Sequence, residues 1–242
     1  MNPDQKGHLH PITQTIREIY AVLYQLGFEV TQGPELEFEY YNFDSLNIPK
    51  DHPARDMQDT FWTKQPVHHK LGRRLLTTQT SAGQVRFMEQ HEPPFRTVVV
   101  GKVFRNEATD STHEAQFHQV EPLYVDRKVS MAHLKGVLEH LFKKLFGDDA
   151  EIRFRPSFFP FTEPSVEVDV KWKKPGESES RWLEVVGAGL VHPTVLMAGG
   201  VDPDKWQGLA FAFGLDRIVM LKFGIDDVRN LYTGDLRMIN QF

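Results

Sequence analysis

The fold is decided by the stretch Gly101-Lys-Val-Phe-Arg-Asn-Glu-Ala-Thr-Asp-Ser-Thr-His-Glu-Ala-Gln-Phe-His-Gln-Val-Glu121. Its pattern predicts two strands, at about 97–107 and 116–125, joined by a polar loop. Because successive side chains of a strand point to opposite faces, Arg105 and Glu107 are expected to share one face of the first strand. Phe117, Gln119 and Glu121 are expected to share one face of the second. One sheet surface would then carry a cation, two carboxylates, an amide and an aromatic ring.

This set of side chains fits a nucleotide together with a small zwitterion. An arginine offers a planar fork for a phosphate, a phenyl ring offers a stacking platform, and a carboxylate accepts from an ammonium group. A hairpin with a polar outer face is the alternative, and this segment alone does not decide between the two.

Length and composition favour a globular protein. A chain of 242 residues with 40% hydrophobic and 25% charged residues can bury one large core or at most two small ones. Eighteen phenylalanines favour a phenyl-rich interior or pocket. No apolar run reaches the roughly 20 residues of a membrane helix, and the polar start at 1–7 does not read as a secretory signal. With no cysteine, disulfides and thiolate zinc sites are excluded, and a cytoplasmic location is expected.

The net charge of −5 bears on nucleic-acid binding, since 28 Lys and Arg stand against 33 Asp and Glu. A chain whose main task is to bind nucleic acid is usually basic. If RNA is a substrate, most of the electrostatic attraction is expected to come from elsewhere.

The periodicity along the chain predicts a single α+β domain over 1–242, with antiparallel strands, interspersed helices and no βαβ rhythm. Helices are predicted at 11–26, at 82–90 with Ser81 as N-cap, from Ser130 to Gly147, and finally from near Asp216. Strands are predicted at 28–35, 75–81, 151–155, 165–172 and 181–186. A helix followed by an irregular loop is predicted within 36–60, and a solvated hairpin loop at 173–180.

Two further stretches could contribute to a ligand site. The range 208–221 is a small-residue strand running into an apolar helix, so a flat ligand could lie on the strand beneath Arg217. The alternative is a buried junction in which Arg217 pairs with an acid. Phe159 and Phe161 are expected on the same side of an extended strand, where they could form a wall for an aromatic ligand or simply pack in the core.

One acid, Glu184, interrupts an otherwise apolar strand and is expected to be buried with a partner. That partner could be a divalent metal carrying a nucleotide or a salt-bridging cation. Gly187 and Gly189 in the same stretch indicate a close approach of backbone to a neighbour.

Three familiar motifs are excluded. The stretch Thr112-His-Glu-Ala-Gln-Phe-His118 superficially matches a zinc helix, but its histidines are five apart rather than four and would not face one metal. Neither the phosphate-binding loop of P-loop NTPases nor a Gly-x-Ser-x-Gly elbow occurs in the sequence.

Taken together, these stretches resemble the catalytic domain of class II aminoacyl-tRNA synthetases, in particular the α subunits of bacterial phenylalanyl-tRNA synthetases. The resemblance runs from about residue 8 to the end, in the expected order. It is carried by His10-Pro-Ile-Thr-Gln14, Gly33-Pro-Glu35, His52-Pro-Ala-Arg55, Asp59-Thr-Phe-Trp62, Thr78-Gln-Thr-Ser81, Phe104-Arg-Asn-Glu107, Phe117-His-Gln119, Arg153-Phe-Arg-Pro-Ser157, Phe159-Pro-Phe161, Glu163-Pro164, Val191-His-Pro193, 208–217 and Arg237 with Gln241-Phe242.

The resemblance implies an antiparallel sheet flanked by helices, with motif 1 at about 11–40, motif 2 at about 97–125 and motif 3 at about 206–224. It implies an ATP-dependent, AMP-forming reaction with Mg²⁺, in which L-phenylalanine becomes phenylalanyl-adenylate and then passes to the 3′ end of tRNA(Phe). The implied partners are a β subunit in a heterotetramer, or a second copy joined through motif 1 around Gly33-Pro34. No covalent nucleophile is implied, so catalysis would rest on positioning and charge stabilisation.

The resemblance also assigns an ATP site. Arg105 matches the arginine that holds the α-phosphate, Phe117 the ring that stacks on adenine, and Arg217 the arginine on the other side of the adenine. Arg105 and Arg217 are therefore the implied catalytic residues. The remaining members of the implied ATP set are Glu107, His113, Ala212 and Gly214.

An amino-acid site is implied beside it. Phe159 and Phe161 match a wall that recognises the phenyl group, and Ala210 matches a small pocket floor. Glu184 matches a carboxylate near bound Mg²⁺. The groups that would orient the amino end are Thr80, Ser81, Gln84, Gln119 and Glu121.

Some departures and alternatives stay open. Ala212 stands where motif 3 usually has glycine, so adenine is expected to sit slightly differently or to bind less tightly. The N-terminal helical arm of α subunits and the anticodon module of single-chain organellar enzymes are expected to be absent, as in a truncated, engineered or minimal natural form. A non-catalytic paralogue that binds an amino acid or nucleotide is the main alternative, although it would be expected to lack Arg105 or Arg217. The same scaffold could also charge another aromatic substrate such as tyrosine.

Overall fold

The computed structural model describes residues 7–52, 60–173 and 179–242 of the chain. Its centre is a seven-stranded sheet in the order β1-β4-β5-β9-β8-β7-β6, and β2 and β3 form a separate antiparallel pair. Neighbours in the large sheet are antiparallel, apart from the parallel pair β1 and β4. The strands are β1 Glu29–Thr31, β2 Leu36–Phe38, β3 Arg74–Leu76, β4 Phe95–Phe104, β5 Gln116–Asp126, β6 Ile152–Phe159, β7 Thr162–Trp172, β8 Arg181–Val191 and β9 Gln207–Gly214.

Helices flank this sheet. The α-helices are α1 Pro11–Gln25, α2 Glu39–Asn42, α3 Ser81–Met88, α4 Met131–Phe146, α5 Pro193–Ala198, α6 Leu215–Phe223 and α7 Leu236–Ile239. Short 3₁₀ helices occupy Asp44–Leu46 and Val228–Leu231. Among the described residues, every helix is too short or too polar to span a lipid bilayer.

The main core lies between the large sheet and the apolar stripes of α1 and α4. Helix α1 begins where the His10 ring accepts the Ile12 amide, with Pro11 in the first turn. Its residues Ile19 and Leu23 are fully buried, as are three leucines of α4 at helical spacing. Burying one such side chain contributes about 1.5–3 kcal/mol, so this layer stabilises the sheet as a rigid platform.

A second apolar cluster fixes the other end of the sheet. It joins α3 and α5 to Leu75 of β3 and to Phe43, Leu46 and Ile48 of the segment after α2. Ala210 of β9 belongs to it as well. The cluster therefore places α3 beside the middle of β5 and β9.

The strand register sets the site. In the β4–β5 hairpin Gly101 faces Gln119, and Gln119 in turn faces Gly214 at the end of β9. One strand further along the sheet, Ala212 faces Gly187 of β8. Residues from motif 2, motif 3 and β8 are thus placed side by side on adjacent strands.

The predicted α+β class and antiparallel sheet are confirmed, while several local predictions are wrong. Strand β4 ends at Phe104, so Arg105 and Glu107 follow the strand rather than lie within it. Range 36–60 opens with strand β2, because Leu36–Phe38 pair with β3. Thr80, not Ser81, is the N-cap of α3, because the Ser81 hydroxyl donates to Glu121 instead.

Three further predictions concern the last helix, the loops and the number of domains. The helix that begins near Asp216 is not the last, since α7 follows it. Residues 53–59 and 174–178 of the predicted loops lie outside the described residues. The single-domain assignment over 1–242 stays a prediction.

Candidate active site

A large cavity of about 540 Å³ opens over the ends of β4, β5, β8 and β9. Its size falls within the range of about 300–1,000 Å³ that is typical of small-ligand sites. Every residue of the implied ATP set lines it, and so do Gln119 and Glu184. The ATP set in the lining is Arg105, Glu107, His113, Phe117, Ala212, Gly214 and Arg217.

Arg105 is a cation that forms no ion pair with any carboxylate among the described residues, although Glu107 is near enough to act on its charge. Its guanidinium carbon lies 5.1 Å from the centre of the Phe117 ring, and its Nε donates to the Thr78 carbonyl at 3.4 Å. Burial lowers the pKa of Arg105 from its ordinary value, and Glu107 opposes the shift. The group stays protonated, because an arginine loses its proton only far above neutral pH. A partly buried cation held in this way is ready to bind an anionic ligand.

Arg217 is exposed in the first turn of α6. It makes no hydrogen bond or ion pair within the part of the chain that the structure describes. The alternative in which Arg217 pairs with an acid at a buried junction is therefore wrong. The acid beside it, Asp216, is buried and contacts His118 and Tyr232.

Glu184 is not the buried acid that the sequence predicts. Its side chain is 58% exposed, because this end of β8 faces the large cavity rather than the core. One carboxylate oxygen accepts from Arg155 at 3.1 Å, and Arg155 also pairs with Glu167 and Asp169, each at 2.9 Å. Within the described ranges, no group of three or more histidines and acids is arranged to hold a metal ion.

A small pocket of about 20 Å³ lies beside the large cavity. Gly187 and Ala212 line both spaces, so the two are contiguous. Its volume is close to that of one or two water molecules. The implied amino-acid residues in its lining are Ser81, Gln84, Glu121, Phe161 and Ala210.

Glu121 is the most unusual group in the small pocket. It is 3% exposed, and among the described residues no cation lies within ion-pair distance of it. Its two carboxylate oxygens accept from Thr80 at 2.8 Å and from Ser81 at 2.6 Å. Burial raises the pKa of Glu121 to about 7, against the effect of the two hydroxyl donors. A cationic ligand group would complete this arrangement.

Two amides hold the frame around this carboxylate. Gln84 donates to the backbone carbonyl of Glu121 at 3.1 Å, and the Gln119 side chain accepts the Thr80 amide at 3.2 Å. Helix α3 is therefore tied to strand β5 on both sides of the acid. The sequence-predicted set Thr80, Ser81, Gln84, Gln119 and Glu121 is brought together.

The two phenylalanines of the predicted wall are neighbours, although not on one extended strand. Strand β6 ends at Phe159 and β7 begins at Thr162, so Phe161 lies in the turn between them. The rings stack with centres 5.7 Å apart and planes 6° from parallel. Phe161 lines the small pocket, while Phe159 packs on Gly187, where an added Cβ would lie 3.0 Å from its ring. The predicted close approach at Gly187 is confirmed.

The stretch 112–118 is loop followed by strand rather than helix. His118 lies in β5, whereas His113 lies in the preceding loop with its ring 3.0 Å from Asp110. Sequence reasoning missed the links that Asp216 and Tyr232 make to His118. No local signal reveals them, since they depend on the strand register and on a residue 114 positions away.

Comparison with known proteins agrees with this geometry. The family of tRNA synthetases class II core domain (F) matches residues 1–242. The phenylalanine–tRNA ligase alpha subunit of Bacillus subtilis is 51% identical over 249 residues, which cover 100% of this chain and 70% of that protein. The alpha subunit of Synechocystis sp. is 48% identical, covering 98% and 68%. The chain thus spans about 70% of the length of these relatives.

A solved structure supports the fold alone. Pyrrolysyl-tRNA synthetase from Desulfitobacterium hafniense superposes with a TM-score of 0.67 at 16% identity, over 93% of this chain and 74% of that one.

The chain belongs to the class II aminoacyl-tRNA synthetase core family. Within that family, it groups with the alpha subunits of phenylalanine–tRNA ligases.

Proposed function

We propose that the protein activates L-phenylalanine with ATP to form phenylalanyl-adenylate, and passes the phenylalanyl group to the 3′ end of tRNA(Phe). The observation that supports this best is the pair of contiguous spaces. One has two cations and a phenyl ring that suit a nucleotide, and the other has a buried carboxylate that suits an ammonium group. The substrates would meet beside Gly187 and Ala212, which line both spaces.

In the large cavity, the adenine would stack on Phe117, with Arg217 on its other face. Arg105 would hold the α-phosphate while an oxygen of the phenylalanine carboxylate attacks phosphorus and pyrophosphate leaves. Negative charge grows on the α-phosphoryl oxygens in this step, and a preorganised cation stabilises that charge. Glu107, His113 and Gly214 would contact the remaining parts of the nucleotide, and Ala212 would lie against it.

Mg²⁺ bound with ATP would supply neutralisation of the phosphate charge. Glu184 fits such an ion, because it is an exposed carboxylate in the cavity lining and, within the described residues, pairs with Arg155 alone. Hard divalent cations prefer carboxylate oxygens, and phosphates and water would complete the shell.

In the small pocket, Glu121 would accept the substrate ammonium group, and Phe159, Phe161 and Ala210 would enclose the phenyl ring. The observed volume of about 20 Å³ is too small for a benzyl group. Substrate entry would therefore require the pocket lining to move apart.

The assembly is proposed to include a β subunit, with dimer contacts through motif 1 around Gly33-Pro34, in the cytoplasm where tRNA is charged. Gly33 packs on α3, where an added Cβ would lie 3.4 Å from the Gly83 Cα. Helix α3 carries Ser81, which donates to Glu121. Motif 1 and the amino-acid pocket are therefore connected through one short helix.

The proposed function predicts phenylalanine-dependent exchange of labelled pyrophosphate into ATP, measured with a phenylalanine–tRNA ligase β subunit supplied. Exchange requires phenylalanine because the reverse reaction starts from the adenylate. Arg127→Ala is a matched control, since Arg127 stacks on Trp206 and does not line the large cavity. A folded complex that binds ATP and phenylalanine in calorimetry without any exchange would instead identify a binding protein.

Phenylalanine binding should depend on pH through Glu121. The raised pKa of about 7 means that the carboxyl takes up a proton as the pH falls below that value, and a neutral carboxyl does not pair with an ammonium group. The apparent affinity should fall about tenfold per pH unit well below pH 7 and level off above it. Calorimetry of phenylalanine alone, from about pH 5 to about pH 8, measures this directly. A flat profile would show that Glu121 does not titrate against the ligand.

A further inference from the structure

We propose that Tyr232 is a positioning residue for the ATP site, acting through Asp216 and His118 to set the distance between Phe117 and Arg217. This inference rests on the proposed function of Phe117 and Arg217. His118 follows Phe117 in the chain, Asp216 precedes Arg217, and Tyr232 contacts both His118 and Asp216. None of the three belongs to the implied ATP set.

The Asp216 side chain supplies the hydrogen-bond acceptor that β9 no longer provides to β5. The β5–β9 ladder ends at the pair Gln119 and Gly214, where β9 gives way to α6. The next amide along β5, that of His118, donates to the Asp216 carboxylate at 2.7 Å instead. A side chain in the first turn of α6 therefore fixes the peptide that directly follows Phe117.

This hydrogen bond directly connects the two sides of the proposed ATP site. Phe117 precedes His118 in the chain, and Arg217 follows Asp216. The position of Arg217 relative to the Phe117 ring therefore depends on where the Asp216 carboxylate points. Its other oxygen accepts from the Tyr232 hydroxyl.

Tyr232 holds both partners at once. Its hydroxyl also lies 3.2 Å from Nδ1 of His118, and the two rings are 4° from parallel. Burial, followed by the Asp216 carboxylate, raises the pKa of Tyr232 above its ordinary value, so the hydroxyl keeps its proton. Asp216 is 4% exposed, which leaves its carboxylate dependent on these donors.

The segment that carries Tyr232 also holds the motif 2 loop. Val228 begins the 3₁₀ helix that Tyr232 caps at its C-terminal end. The Val228 amide donates to the Ser111 carbonyl at 2.9 Å, and Val228 lines the large cavity. The segment 228–232 thus contacts motif 2 at the loop and at the strand, and contacts motif 3 at Asp216. It fixes three parts of the nucleotide site with respect to one another.

Tyr232→Phe tests the inference, because it removes the hydroxyl and keeps the ring. In pyrophosphate exchange by the complex, we expect the KM for ATP to rise about tenfold and the KM for phenylalanine to change less than about twofold. Tyr124→Phe is the matched control. It also deletes a tyrosine–aspartate hydrogen bond on β5, to Asp126 at 3.0 Å, but at the opposite end of the strand.

A double-mutant cycle separates positioning from loss of stability. If Tyr232 acts through the adenine platform, Tyr232→Phe should cost less than about threefold in ATP KM when Phe117→Leu is already present. A purely structural role predicts the same fold-change in the KM for ATP in both backgrounds. It also predicts a lower melting temperature for Tyr232→Phe, with equal fold-changes in the KM for ATP and the KM for phenylalanine. That outcome would overturn the inference. Should Tyr232→Phe fail to fold, Asp216→Asn is the second variant, since it keeps an acceptor for the His118 amide. It is expected to give the same selective rise in the KM for ATP.

The outcomes also distinguish this inference from the proposed function. A wild-type complex without phenylalanine-dependent exchange overturns both. An active wild-type complex in which Tyr232→Phe behaves like Tyr124→Phe overturns the positioning role alone.

Discussion

Replacing Arg105 with alanine should lower the rate of phenylalanine-dependent pyrophosphate exchange by about 10³-fold. Arg105 forms no ion pair with a carboxylate in the described residues, and its side chain already lies against Phe117 at the nucleotide cavity. The cation is therefore positioned before ATP binds. Alanine would leave the charge that develops on the α-phosphoryl group without its nearest stabilising group.

The effect should appear mainly in kcat, because the charge grows only as the bond to pyrophosphate breaks. Arg105→Lys should recover part of the activity, since it restores the charge but not the planar fork. Arg127→Ala provides the control for loss of an exposed arginine on the same chain. If Arg105→Ala retained more than about a tenth of the wild-type rate, its assignment to the α-phosphate would be wrong.

Replacing Glu121 with glutamine should raise the KM for phenylalanine by about 10²–10³-fold while the KM for ATP stays nearly constant. Glu121 is buried, and no cation of the described residues pairs with it, so the substrate ammonium group would be its ion-pair partner in a small pocket. Losing one member of a buried, hydrogen-bonded charge pair costs about 2–5 kcal/mol. The amide has nearly the same shape, and Thr80 and Ser81 can still donate to its oxygen.

This variant also tests the pH dependence independently. Glutamine does not titrate, so the fall in phenylalanine affinity below pH 7 should disappear. Asp126→Asn is the matched control, because Asp126 lies on the same strand and also accepts from a hydroxyl, that of Tyr124. The role of Glu121 would be refuted by an unchanged phenylalanine KM in a variant that melts like the wild type.

The local pattern of the second motif 2 strand was enough to predict which of its side chains share a face, whereas Arg105 and Glu107 lie beyond the end of β4. Phe117, Gln119 and Glu121 alternate along β5 as expected, because the period of two is a property of the strand itself. The helical stripes of α1 and α4 were predictable for the same kind of reason. Roles in catalysis and binding came from the family resemblance, and these remain proposals.

Features that depend on contacts between distant segments were not predictable. Glu184 was expected to be buried from the apolar residues around it, but its exposure depends on which end of β8 faces the cavity. The sequence predicts Phe159 and Phe161 on one strand, because the turn at Phe161 leaves no clear mark in it. The contacts of Tyr232 depend on the whole path of the chain between β5 and the C-terminal segment.

A single inhibitor that reaches into both spaces would have to cross above Gly187 and Ala212, which face each other on β8 and β9. The backbone there cannot retreat easily, since the Phe159 ring packs directly against Gly187. Medicinal chemistry on this enzyme should therefore keep the linker between a purine-like head and an aromatic tail slim and unbranched. Branching at that point should abolish binding even when both end groups are ideal.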